Sequence, residues 1–291
     1  MKMKPHFYNL RSRLGLTNVP YRQKSLNFGV EKGGDAVLSK EFLQNFHGAV
    51  VDEFDFSKPE ETSKKNYYDI LAKELKGAKN LILDSLSEDE TAVALGGDNS
   101  ISFSPLAAML ERYKPNRVGY VRIDSHPDMN SIKVSPSGNF HGMWMRPFVD
   151  DFEEKKISNL IKNKLTLYQL LFIGNLDIDS GEKEFFTGKS TVFSPGYLRE
   201  NKESALMNLE QFANIYEHIY LGIDIDGFDA SIAPATGIPA KSGLLLTDVQ
   251  EVFEKVKEQL VCVDLVEVNP EKKGAAQTVK LVQAILLSLL R

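Results

Sequence analysis

Seven short apolar runs, separated by stretches of helical periodicity, restrict this 291-residue chain more than any other feature. The runs are GAVV (48–51), TAVAL (91–95), RVGYVRI (117–123), LYQLLFI (167–173), STVF (190–193), HIYLGI (218–223) and LVCVDLVEV (260–268). Several are nearly continuous in apolar residues rather than alternating, as in strands buried on both faces of a parallel sheet. Helical patterns fall at 66–86, 104–113, 151–163, 202–216 and 247–259, and an amphipathic segment at 275–290 closes the chain. This alternation predicts a single three-layer α/β/α domain over residues 1–291, with a mostly parallel sheet and helices on both faces. The polar stretch 55–65 reads as a surface loop, since the alternation continues across it. The first 25 residues fit the pattern poorly, because HFYNLRSRLG carries too much charge for a buried strand.

Composition narrows the partners. The formal charge is −5 and no basic block stands apart, which argues against nucleic acid or an anionic membrane as the main partner. The opening MKMKPHFYNL has no apolar core behind its lysines, so it does not read as a secretory signal. The run 284–290 is too short to span a bilayer. Cys262 is the only cysteine, which excludes an intrachain disulfide and suits a small buried side chain. These features predict a soluble, cytoplasmic protein.

Polar clusters follow the C-terminal ends of the predicted strands: GGDN after TAVAL, DSHPD after RVGYVRI, NLDID after LYQLLFI and DID after HIYLGI. Glu267 and Asn269 close the last strand. In open parallel sheets, ligands bind in the crevice beyond those ends. Asp124, His126 and Asp128 share i, i+2, i+4 spacing, which in an extended chain turns them to one side, and Pro127 favours that extension at His126. Asp224 and Asp226 repeat the device. Carboxylates converging without a cation would repel and raise one another's pKa, whereas a cation resolves the conflict. Oxygen ligands with one imidazole and no thiolate favour Mn²⁺, or else Mg²⁺, Fe²⁺ or Zn²⁺. Five such ligands suffice for two ions roughly 3.5–4 Å apart, because carboxylates bridge. A lone DxH or DxD usually caps a helix or faces water, and the pairing of two such devices on one rim is what favours a metal. GGDNS also suits a tight strand-to-helix turn with Asn99 or Ser100 as the N-cap.

Taken in order, GGDNS, DSHPD, GIDID and EVNP resemble the motif run GGDHS, DAHxD, SxDxD and ExNP of the ureohydrolases, the family of arginase, agmatinase and formiminoglutamase. The resemblance runs from about Phe28 to the C-terminus. SPSGNFHGM around His141, LDIDSGE around Asp179 and DGFDASIAPATGIP around Thr236 lean towards the arginase branch. The resemblance implies an arginase-like fold and Mn²⁺-dependent hydrolysis of a guanidino compound, with L-arginine going to L-ornithine and urea. Agmatine and formiminoglutamate are alternative substrates, and a metal-poor, non-catalytic member is a further alternative. By resemblance, Asp124 and Asp224 bridge two Mn²⁺ ions, His126 and Asp226 complete one shell, and Asp128 serves the other and so belongs to the catalytic set. Glu267 would pair with the guanidinium and His141 would pass a proton to the departing amine. Asn130, Ser137 and Asn139 would meet the amino acid's carboxylate end and Asp179 its ammonium, with Glu182 assisting. Asn99 stands at the position of the GGDH histidine. Its amide oxygen is a poorer donor than imidazole, so the resemblance implies a weak or empty first site beside an intact second one, with a single bound ion as the alternative to two. Trimers or hexamers are implied in the same way.

Overall fold

The computed structural model describes residues 3–16, 27–63, 65–174, 177–186 and 188–291. Eight parallel strands form one sheet: β1 (Pro5–Arg11), β2 (Val50–Asp55), β3 (Thr91–Gly96), β4 (Val118–Ile123), β5 (Leu170–Ile173), β6 (Thr191–Phe193), β7 (His218–Asp224) and β8 (Leu260–Val266). Their spatial order is β2-β1-β3-β8-β7-β4-β5-β6, so β8 and β7 are inserted between β3 and β4. Five long helices cover the sheet: α1 (Tyr67–Ser85), α2 (Phe103–Arg112), α3 (Lys202–Ile215), α4 (Leu246–Val256) and α5 (Ala275–Leu290).

Apolar spacing decides which face each helix covers. In α1, Leu71, Leu75, Ala78 and Ile82 recur at helical intervals and are buried. They pack with α2 against Tyr8, Ala94, Tyr120 and Phe172 of the strands. In α5, Leu281, Ile285 and Leu289 form one such row and Val282, Leu286 and Leu290 another. With α3 and α4 they cover the opposite face through Phe7, Val93, Val121 and Ile223. Each fully buried Leu or Ile contributes about 1.5–3 kcal/mol, so Ile285→Asp would break the α5 interface.

The predicted fold class holds, but the reading of the N-terminus does not. PHFYNLR is a buried strand lying between β2 and β3. Its charges are tolerated because they sit at the strand's ends. His6 stacks on Tyr8 and faces Glu90 and Asp52 at 3.0 and 2.9 Å. Arg11 reaches the rim, where it pairs with Asp35, Glu53 and Asp55. Residues 17–25 of that segment lie outside the described residues. Between 151 and 163 only Lys155–Ser158 is α-helical, and 167–169 is a 3₁₀ turn leading into β5.

Candidate active site

The four central strands, β3, β8, β7 and β4, are neighbours, and their C-terminal ends carry Asn99, Glu267, Asp224 with Asp226, and Asp124 with His126 and Asp128. The crevice lies where β3 and β4 diverge, the switch point at which parallel sheets bind ligands. There the chain surrounds a cavity of about 530 Å³. Of the thirteen residues singled out above, all but Asp124 line it, and Asp124 lies fully buried among them.

The side chains converge by turns more than by strand parity. β4 ends at Ile123, and Asp128 has a left-handed backbone (φ 55°) that breaks the extended path. Asp226 lies in a 3₁₀ turn whose first N–H groups are capped by Asp224, with Asp226 N–H donating to Asp224 Oδ1 at 2.9 Å. In GGDNS the cap is Asp98, not Asn99 or Ser100: its Oδ1 accepts from Ser100 N–H at 2.9 Å. Its other oxygen holds Ser12 and Gly15 of the loop leaving β1. Gly97 passes so close to Ser12 that a Cβ would lie 1.6 Å from its carbonyl oxygen, so this turn requires glycine. The motif therefore has both roles: Gly97 and Asp98 build the turn, while Asn99 faces the cavity.

The acidic cluster has two halves. In one, Asp124, His126 and Asp226 bring ligand atoms within 4.8 Å of one another, the only such group among the described residues. His126 Nδ1 lies 3.7 Å from Asp124 Oδ1 and 3.3 Å from Asp226 Oδ2. Burial works against the imidazolium, yet these two carboxylates push its pKa to about 12, and an arriving cation would displace that proton. One imidazole and carboxylate oxygens on a water-accessible rim fit a hard or borderline divalent cation.

The other half is organised around Arg122, on β4. Its Nη2 donates to Asp124 Oδ2 at 2.5 Å, to Asn99 Oδ1 at 2.6 Å and to Asp128 Oδ2 at 3.0 Å. Its Nε donates to Asp124 Oδ2 at 2.8 Å, and its guanidinium lies 5.2 Å from the Trp144 ring centre. Asn99 Nδ2 in turn donates to Asp224 Oδ2 at 2.6 Å. Burial raises the Asp124 carboxyl, but Arg122 and His126 outweigh it and hold it below the usual carboxylate range. Asp128 is pushed up by burial and by the Asp124 charge, against the pull of Arg122. Sequence reasoning passed over Arg122. The available signal was a charge inside an apolar strand, two residues before Asp124 and therefore on the same face.

Around the cavity, Glu267 Oε2 accepts from Asn27 Nδ2 at 2.6 Å and Oε1 accepts from Asn99 N–H at 3.1 Å. Asn269 supports this by donating to Asn27 Oδ1 at 2.7 Å. Asn27 was also missed, being far away in sequence and outside any motif. Burial raises Glu267 to about 8. Its φ of 65° is rare for glutamate and costs of order 1–3 kcal/mol. His141 Nδ1 lies 3.8 Å from Glu267 Oε1, and burial lowers its pKa. Elsewhere on the lining, Asn130 Nδ2 donates to Asp179 Oδ2 at 2.9 Å, and Asn130 Oδ1 is buried without a partner. Glu182 has both oxygens engaged by backbone N–H groups, of Met129 at 2.7 Å and Asp179 at 3.1 Å, so it joins two loops. Burial raises it to about 7.

No helix among the described residues is long and apolar enough to cross a membrane. The Arginase family model matches residues 12–291. The arginase of Emericella nidulans is 33% identical over 214 residues, covering 68% of this chain and 65% of that protein. The chain therefore matches a little under two thirds of that relative's length. The arginase of Staphylococcus aureus is 28% identical over 92% of this chain and 89% of its own. The crystal structure of Entamoeba histolytica arginase in complex with L-ornithine superposes with a TM-score of 0.84 at 24% identity, covering 100% of this chain and 99% of that one. With a family match that begins in the loop after β1 and runs through every motif on the cavity rim, the chain belongs to the arginase family of ureohydrolases.

Proposed function

We propose that the chain hydrolyses a C–N bond of a guanidino compound, with L-arginine as the first candidate and urea and L-ornithine as products. The observation that carries this reading is the set of groups that share one cavity. Glu267 and His141 form one close pair on its lining, Asn130 and Asp179 another, and the Asp124–His126–Asp226 group meets the same space. Asp124, His126 and Asp226 would hold the cation, with Asp224 beside them as the family resemblance implies, Mn²⁺ being the ion the donor set favours. When bound there, it supplies Lewis acidity that makes water nucleophilic near neutral pH.

The chain's own groups do the rest. Glu267, once ionised, pairs with the guanidinium through a charge-assisted bond and orients its central carbon. Water adds to that carbon, the bond to the alkyl-bearing nitrogen breaks, and the amine leaves with a proton. His141, kept neutral by burial, can take a proton and hand it to that nitrogen. Asp179, Asn130, Ser137 and Asn139 would hold the amino-acid end, and the free Asn130 Oδ1 offers an acceptor to an ammonium.

The test is urea release from L-arginine after incubation with excess Mn²⁺, compared with a chelated sample and with Glu267→Gln. Metal-dependent release that Glu267→Gln abolishes supports the reading; none from folded, Mn²⁺-treated protein overturns it. The Arg122 network favours a second reading, a family member that binds guanidino ligands without turnover. Arginine binding by calorimetry without urea release would select it.

A further inference from the structure

We infer that the Arg122 guanidinium takes the place of one of the two cations that the family resemblance implies for the acidic cluster, leaving a one-ion centre at Asp124, His126 and Asp226. The inference rests on reading that trio as a cation site, and it is independent of whether arginine is the substrate.

The argument begins with Nη2. A single nitrogen with two hydrogens faces three oxygens, from Asp124, Asn99 and Asp128, at 2.5, 2.6 and 3.0 Å. Ringed in this way, it resembles an ion in its shell more than one partner of a two-point salt bridge. Those residues are the ones a second cation would need. A divalent metal takes oxygens at about 2.0–2.2 Å, so an ion drawn in among these three would overlap the position that Nη2 already fills. The Asn99 amide is also oriented for the arginine. Its oxygen accepts from Arg122 and its nitrogen donates to Asp224, so the atom that could meet a metal is already in contact with the guanidinium.

Asp124 divides its oxygens accordingly. Oδ2 belongs to Arg122, while Oδ1 faces His126. It still bridges two positive groups, one of which is part of the chain.

The sheet is shaped to house this side chain. Arg122 is in register with Gly222 on β7, and Gly222 with Asp264 on β8. A Cβ on Gly222 would come within 3.2 Å of Arg122 Nη1 and 2.5 Å of the Tyr120 hydroxyl. Nη1 faces Asp264 Oδ1 at 3.8 Å, and that oxygen accepts from Ser102 Oγ at 2.7 Å. Arg122 itself is 1% exposed, too deep to swing aside for an ion.

Bound Mn²⁺ per chain after equilibrium dialysis against excess Mn²⁺ tests this, with the electron paramagnetic resonance spectrum as a second readout. The unmodified chain is expected to hold one ion with an isolated six-line signal. Asn99→His alone should still hold one, because the guanidinium remains. Arg122→Leu combined with Asn99→His should hold two and give an exchange-coupled spectrum. Two ions in the unmodified chain or in Asn99→His overturn the inference, as does none in the unmodified chain. A double variant with native circular dichroism that stays at one ion also overturns it. If the double variant does not fold, the counts for the unmodified chain and Asn99→His still decide. A count of one without urea release would sink the arginase reading alone and leave this inference standing.

Discussion

The two halves of the acidic cluster share Asp124 yet solve the same electrostatic problem by different means. On the His126 side, carboxylates meet an imidazole that is partly open to the cavity, so positive charge can be exchanged: a proton now, a metal ion when one is supplied. On the Arg122 side, the positive charge is covalently part of a strand and sealed from water. The difference teaches that an acidic rim motif specifies a need for positive charge without specifying its source.

Four measurements would break or sharpen that contrast. The largest effect is expected from Arg122→Met, which strands Asp124 and Asp128 in a buried site. Removing one partner of such a network costs about 3–5 kcal/mol, readable in urea denaturation, and adding Asp128→Asn should recover part of it. An Arg122→Met chain as stable as the parent would mean the guanidinium neutralises nothing. Next, Asp226→Asn should weaken Mn²⁺ binding by at least about 100-fold, since losing a direct ligand costs no less than losing a partner that only supports one. Asp128→Asn should change it by less than about tenfold, or ~1.4 kcal/mol. Equal losses from the two would erase the distinction between the halves.

Asn99→Leu comes third. It leaves Arg122 and Asp224 each one partner short, a cost of about 1–3 kcal/mol, with Mn²⁺ affinity at the His126 side retained. A chemical-denaturation midpoint unchanged from the parent would show that the amide is a bystander. The smallest effect lies at the opposite rim of the sheet, where no cation competes and the behaviour should ignore Mn²⁺. Burial raises the Glu90 carboxyl, but His6, the Ser87 N–H and Lys4 together bring it from its ordinary 4.5 to about 2. A carboxylate lowered on folding adds stability that is full above its unfolded pKa. That contribution fades as pH falls from about 4.5 towards 2. Glu90→Gln should flatten this part of the acid limb equally with and without Mn²⁺, and a metal-dependent difference would tie the two rims together.

Much of this was legible in the residues. Apolar runs on both-face-buried strands announced the parallel sheet, and the helix at Ala275–Leu290 follows its periodicity to the residue. Polar clusters after the strands located the cavity. Two things were hidden for physical reasons. The first strand was masked because His6 and Arg11 count as charge in a window, although one is satisfied by Glu90 and Asp52 and the other by the rim acids. Arg122 was masked because its partners come from the loops after β3 and β4, and the room it occupies comes from a glycine 100 positions away on β7. Such pairings exist only after the strands are laid side by side.

That glycine also couples two positions that no motif joins. Any side chain at position 222 would press on the Tyr120 hydroxyl and on the guanidinium, so emptying position 122 would not by itself make room for one. Losing Arg122 would in addition leave Asp124 and Asp128 without their buried partner. The missing side chain on β7 is thus a structural part of the rim, and its tolerance to change is set by the neighbouring strand rather than by its own.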